Sequence, residues 1–250
     1  MQSIFNCLTA PNFCTALKKL IPKKGPKDGI SFEMAVMYKE SVTSLIQTIS
    51  ANPALLEGTA DEKKNFLQRQ GNLAAQGTGN KVTDQEACFA VEVEKKGFVF
   101  LPKGAVAPAN GLYYEYQLNG SQQEGDFRVC EFNDGAMLYG HVVDLKHTNS
   151  KKFYFNDGWF QAGVIYIVSW NAGTKKYPNL KAHIALGQDV PSEAEKKFMA
   201  ELQAFKREKN TNTKRVDCLF PYVRFANQYS CENFGEEKRK AHLESVINYI

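Results

Sequence analysis

The hydrophobic period changes twice along this chain, and that change limits what it can fold into more than any other feature does. Between residues 30 and 50, Ala35, Tyr38, Val42, Leu45, Ile46 and Ile49 recur at three- and four-residue spacing, which predicts an amphipathic helix. A second helical stretch is expected from Asp61 to the Gly-Thr-Gly of 77–79. The period then shortens to two. Runs at 88–93, 98–101, 112–118, 126–132, 138–146 and 164–170 are rich in Val, Ile, Tyr and Phe, are divided by Gly, Asn and Asp, and read as strands. From Pro191 the helical period returns, opened by a Ser192/Glu195 capping box and continued by Phe198, Met199, Leu202 and Phe205. An apolar run at 218–225 and a charged helix at 236–249 close the chain. Helices, then strands, then helices point to a mixed α/β (α+β) fold in one domain, a central mixed sheet flanked by helices.

Composition enters where it excludes classes. At 250 residues, with 43% hydrophobic and 23% charged, the chain has the make-up of an ordinary globular protein with one sizeable core. Its longest nearly uncharged apolar run, 163–170, falls far short of the roughly 20 residues a membrane-spanning helix needs. The net charge of +4 is compatible with a polyanionic partner without demanding one. Six cysteines are scattered without a CxxC pair, and the N-terminus has neither a basic opening nor an apolar run of signal-peptide type. These features predict free thiols and a cytoplasmic protein, with no structural zinc site. There is no GxxxxGK[ST] phosphate loop and no GxSxG elbow, and Gly77-Thr-Gly79 is too short for a dinucleotide fingerprint.

The chemistry concentrates between Tyr116 and Trp170. The segment 119–129 reads Asn-Gly-Ser-Gln-Gln-Glu-Gly-Asp-Phe-Arg-Val, and a turn comes next at Asn133-Asp-Gly135. A long strand then ends Val142-Val-Asp-Leu-Lys146. Two strands around an Asn-Asp-Gly turn make an antiparallel hairpin, which brings Asp126 at one end to Asp144 at the other. Alternation places Val142, Asp144 and Lys146 on one face and Tyr139, His141, Val143 and Leu145 on the other. On the first strand, Asp126 shares its face with Arg128 and Cys130, while Glu131 points away. Two carboxylates a few ångströms apart repel each other, and a divalent cation relieves that repulsion. Such an ion stabilises charge on a phosphate and acidifies water, and a lysine beside it orients that water or stabilises the transition state. The bland alternative is a solvated ion pair at a strand end.

These residues resemble the PD-(D/E)XK nuclease superfamily, and within it the type II restriction endonucleases. Gly125-Asp126-Phe127 is similar to the segment where the "PD" dipeptide opens a strand, with glycine in place of proline. Asp144-Leu-Lys146 matches (D/E)XK with the shorter carboxylate. The stretch from Phe153-Tyr-Phe-Asn-Asp-Gly-Trp159 to Val164-Ile-Tyr-Ile-Val168 resembles the segment after the catalytic lysine in that family. The likeness covers 55 of 250 residues.

It implies a restriction-endonuclease-like core at about 28–170, with the helices and strands of residues 180–250 serving for support, DNA contact or dimerisation. It implies Asp126, Asp144 and the Leu145 carbonyl as ligands of Mg²⁺, with Mn²⁺ as a substitute, and Lys146 as the catalytic lysine. The glutamate that the family often carries on its first core helix has Glu33 as its candidate, although helical projection puts Glu33 opposite the apolar stripe. The implied activity is hydrolysis of double-stranded DNA at a short specific sequence, leaving 5′-phosphate ends. A homodimer and a separate protective methyltransferase are the implied partners. A repair or recombination nuclease of the same fold, or a non-catalytic DNA-binding protein, is the alternative.

Further candidates for DNA contact are Gln122, Gln123, Lys151, Lys152, Asn156, Arg224 and Asn227, with Gln228 beside them; the bland alternative for each is ordinary polar loop or surface. Tyr113, Tyr114 and Tyr116 are expected to pack in the sheet rather than to stack on bases.

Overall fold

The computed structural model describes residues 30–57, 59–69, 83–102, 104–116, 125–156, 159–174, 176–177, 179–212 and 226–250. The leading helix α1 spans Ile30–Ala51, and a 3-10 turn at Pro53–Leu56 leads to α2 (Ala60–Arg69) and α3 (Asp84–Lys95). The strands come next as β1 (Val99–Phe100), β2 (Gly111–Tyr116), β3 (Phe127–Asn133), β4 (Ala136–Thr148), β5 (Lys152–Asn156), β6 (Val164–Asn171) and β7 (Leu180–Leu186). Helix α4 (Glu193–Asn212), strand β8 (Ala226–Ser230) and helix α5 (Glu236–Tyr249) complete the chain. Among the described residues, no helix is long and apolar enough to cross a membrane.

Six strands form one mixed sheet in the order β1-β2-β3-β4-β6-β7, parallel between β1 and β2 and between β4 and β6, antiparallel elsewhere. On one face, Phe127, Val129, Val143, Ile165, Ile167, Ile184 and Leu186 pack against α1 residues Tyr38, Val42, Leu45 and Ile49 and α3 residues Phe89, Ala90 and Val93. The other face carries Tyr166, Val168 and Trp170, covered by Phe153, Phe155, Phe160, Tyr229 and Phe234. Covered on both sides, β6 is buried along nearly its whole length, which is why it reads as an unbroken apolar run.

The segment 88–93, expected as a strand, is the middle of helix α3. Thr83 and Glu86 form a reciprocal capping box that starts the helix, and Glu86, Phe89, Ala90 and Val93 then fall on one side at helical spacing. Three strands, β5, β7 and β8, went unforeseen. In β7, Lys181 and His183 interrupt the apolar pattern of Leu-Lys-Ala-His-Ile-Ala-Leu. Strand β5 pairs with β8 in a separate two-stranded ribbon. The expected apolar run at 218–225 lies outside the described residues. Cys88, Cys130 and Cys231 are buried free thiols, as expected of those three. Tyr113, Tyr114 and Tyr116 are buried packing residues.

Hairpin β3–β4 turns through Asp134 (φ 51°) and Gly135 (φ 77°), both left-handed, as a two-residue hairpin loop needs. On β3 the carboxyl of Glu131 is fully buried, and neither oxygen has a hydrogen-bond partner among the described residues. Burial pushes its pKa up, so the acid is held toward its neutral form. Replacing it by an apolar side chain removes an unsatisfied group from the interior. Glu131→Leu is therefore expected to raise the free energy of unfolding by about 1 kcal/mol, measured by urea denaturation.

Candidate active site at the opening of the sheet

The ladder between β3 and β4 pairs Phe127 with Val143, Arg128 with Val142 and Val129 with His141. Continued by one step, that register sets Asp126 opposite Asp144. Beyond this point β4 runs on beside β6 alone, pairing Asp144 with Tyr166 and Lys146 with Val168. The sheet therefore opens between β3 and the last turn of β4, and the Leu145 N–H on that side has no strand to bond to. It donates instead to Asp126 Oδ2 at 2.8 Å. The backbone aims the carboxylate.

Gly125 makes the approach possible. Its φ is +87°, and a Cβ there would lie 2.7 Å from Val142 Cγ1 and 3.2 Å from the Val143 carbonyl oxygen. Proline, whose φ is fixed near −65°, cannot take this conformation, so glycine is the residue that this geometry requires.

Asp144 is buried, and Lys146 Nζ donates to its Oδ1 at 2.5 Å. The ammonium also lies over the Phe155 ring, 5.8 Å from its centroid. Tyr166, beside Asp144 in the ladder, is a buried wall whose hydroxyl accepts from Gln161 N at 3.0 Å.

A third carboxylate reaches this place, and it was not among the candidates read from the sequence. Glu86, in the first turn of α3, accepts from Thr83 N at 2.6 Å and from the Tyr116 hydroxyl at 3.2 Å. Its pKa is raised, chiefly by removal from water, with hydrogen bonds from Thr83 and Tyr116 and the charge of Lys146 opposing the rise. The capping signature Thr83-x-x-Glu86 was the available signal. Glu33 stands in the first turn of α1, with its side chain outside the described ones.

These acids crowd one another. Asp126 has its pKa pushed well above the ordinary 3.8, first by burial, then by the charges of Asp144 and Glu86; Lys146 and the Leu145 N–H oppose this. A cation would relieve that repulsion. The donors are all hard oxygens, from Asp126, Asp144 and the Leu145 carbonyl with Glu86 beside them, which is the chemistry that suits Mg²⁺. Among the described residues, no group of three or more acidic, histidine or cysteine side chains is placed to hold a metal ion. Mg²⁺ characteristically keeps several waters and takes only one or two carboxylates, so an incomplete protein cage is consistent with it. A cavity of about 640 Å³ adjoins the cluster, lined by Glu86, Asp126 and Leu145 and also by Lys63, Gln85 and His147.

The raised carboxyls make stability depend on pH with a definite sign. Asp126 and Glu86 hold protons more tightly folded than unfolded, so the metal-free folded chain carries the extra protons. Their contribution is complete below the ordinary carboxyl values of 3.8 and 4.5 and is lost as pH rises through the shifted ones. Asp126→Asn removes one of the crowding charges and can still accept from Leu145 N. In metal-free thermal unfolding at pH 8 it is expected to be more stable than wild type by about 1 kcal/mol, with the gain shrinking toward pH 4.

Of the other candidates, Lys151 and Lys152 are exposed where β4 passes into β5, and Lys151 is paired with Glu232 at 2.5 Å. Asn156 stands opposite Ala226 and Asn227 opposite Phe155 in the β5–β8 ladder, with their own side chains outside the described ones. Gln122, Gln123 and Arg224 lie outside the described residues altogether. No protein-family model, curated protein or solved structure matches the chain.

Proposed function

We propose that this chain is an Mg²⁺-dependent deoxyribonuclease of the restriction-endonuclease type, hydrolysing double-stranded DNA at a short specific sequence to leave 5′-phosphate ends. One observation carries the reading. Asp126 and Asp144 occupy opposed positions where the sheet opens, and Lys146 projects beside Asp144 two residues further along the strand. This combination of charges suits phosphodiester hydrolysis, because the attacked phosphate is anionic and gains negative charge on its oxygens in the transition state. The crowding of Asp126, Asp144 and Glu86 supports the presence of a cation among them.

In this reading Asp126, Asp144 and the Leu145 carbonyl hold the ion. When bound, Mg²⁺ neutralises charge on the scissile phosphate and lowers the pKa of an attacking water. The chain's own groups do the rest. Lys146 Nζ, already fixed by Asp144, places a positive charge and hydrogen-bond donors toward the reacting phosphate. The Leu145 N–H holds Asp126 in one orientation. Tyr116 and Thr83 hold Glu86 where it can accept a proton at its carboxylate.

Digestion of a long, unmethylated viral DNA tests the reading. With Mg²⁺, discrete bands that disappear with EDTA establish a sequence-specific endonuclease. A smear retains a nuclease and removes the restriction reading. No cleavage with either Mg²⁺ or Mn²⁺ overturns the proposal.

A further inference from the structure

Strands β5 and β8 are 70 residues apart in the chain, yet they form a five-pair antiparallel ribbon from Lys152↔Ser230 to Asn156↔Ala226. Its two faces differ sharply. Phe153, Phe155 and Tyr229 turn inward, where they pack with Phe160 and Tyr166. The outer face shows Lys152, Tyr154 and Gln228. Tyr154 is 56% exposed although it is a large aromatic, and Gln228 is exposed directly opposite it in the ladder.

The ribbon is fixed to the candidate active site at two points. Only residues 149–151 separate it from the end of β4, and they are braced by Thr148 and Ser150 hydroxyls that both donate to the Lys152 carbonyl at 2.8 Å. The inner-face ring of Phe155 lies beneath the Lys146 ammonium. A body resting on the outer face is therefore held in a set position relative to Lys146.

We propose that the outer face of the β5–β8 ribbon enters the major groove of duplex DNA, where Gln228 reads a base edge, Tyr154 packs beside it and Lys152 contacts a phosphate. Two paired strands lie about 4.8 Å apart, and with their side chains they form a body that fits a groove about 12 Å wide. Five residues at about 3.4 Å each cover roughly five base-pair steps, the length of a short recognition site. A glutamine amide donates and accepts together, which matches the adenine edge; tyrosine supplies rigid contact area, and lysine supplies charge without sequence information. Lys151 is left out because Glu232 already pairs with it. The inference deepens the nuclease reading and borrows from it only duplex DNA as the substrate.

The test uses the full chain and a library of duplexes with a randomised centre, with Ca²⁺ replacing Mg²⁺ so that recovery of bound duplexes does not depend on cleavage. Wild type is expected to enrich a consensus. Gln228→Ala is expected to lose preference by about 10-fold at one or two positions, and Gln228→Glu to move that preference toward cytosine. Lys152→Ala should weaken binding to all duplexes alike and lower the salt slope by about one. The substituted side chains are exposed, so wild-type unfolding midpoints accompany these outcomes. A consensus unchanged in both Gln228 variants overturns the ribbon's role and leaves the nuclease reading intact. Failure of wild type to bind any duplex overturns both. Enrichment that responds to Gln228, without cleavage in a parallel Mg²⁺ digestion, upholds the ribbon and overturns the nuclease.

Discussion

Lys146→Ala is expected to lower Mg²⁺-dependent DNA cleavage by on the order of 10²–10³-fold, while the protein continues to bind duplex DNA. The lysine is the one cation paired within the acidic cluster among the described residues, donating to Asp144 at 2.5 Å and opposing the raised pKa values of Asp126 and Glu86. In the proposed reaction, its removal takes a positive charge from the place where negative charge would grow during hydrolysis. It also leaves three carboxylates without a counter-charge, so metal-free Lys146→Ala should unfold more readily than wild type, and more so at pH 8 than at pH 5. Mg²⁺ should then raise its unfolding temperature more than it raises that of wild type. Single-turnover cleavage of a labelled duplex, with circular dichroism melts of the same preparations, checks the two halves separately. Undiminished cleavage by the variant would remove Lys146 from the chemistry.

Phe127→Ala is expected to destabilise the fold by about 4 kcal/mol, a large part of the 5–15 kcal/mol that holds a typical domain together. Phe127 is fully buried at the start of β3, with the Phe89 ring 4.8 Å away, Tyr116 at 5.0 Å and Tyr114 at 6.2 Å. It is the residue next to Asp126 and the support under Tyr116, whose hydroxyl holds Glu86. The cavity left by truncation lies between α3 and the sheet, so both the melting midpoint and the placement of the acidic cluster depend on it. Urea denaturation, read as a shift in midpoint at constant slope, measures the loss. Phe127→Leu fills most of the volume and should recover more than half of it.

The legible parts of this fold were those whose signals are local. Hairpin β3–β4 announced itself through period-two alternation around Asn133-Asp-Gly135, and its register brings Asp126 and Asp144 together as the spacing required. The Ser192/Glu195 box opens α4 with all three of its hydrogen bonds in place. The same signature at Thr83/Glu86 was overlooked because Cys-Phe-Ala-Val-Glu-Val satisfies a strand pattern as well as a helical one, and a short apolar run cannot be settled by periodicity. With α3 misread, Glu86 could not be placed. The β5–β8 ribbon was hidden for another reason: its partners lie far apart in the chain, and nothing in either strand names the other. Strand β7 carries Lys181 and His183 in an otherwise apolar run and gave too weak a pattern to register.

Glu86 answers two demands with one side chain. The geometry that starts a helix, with Thr83 N at 2.6 Å and Tyr116 alongside, is the same geometry that delivers a carboxyl to the opening of the sheet. The placement of that acid is therefore inherited from the hydrogen bonds that start the helix. Alanine at this position would lose the cap and the acid together. Glutamine alone keeps the first while discarding the second, and so it divides architecture from chemistry at a single atom pair.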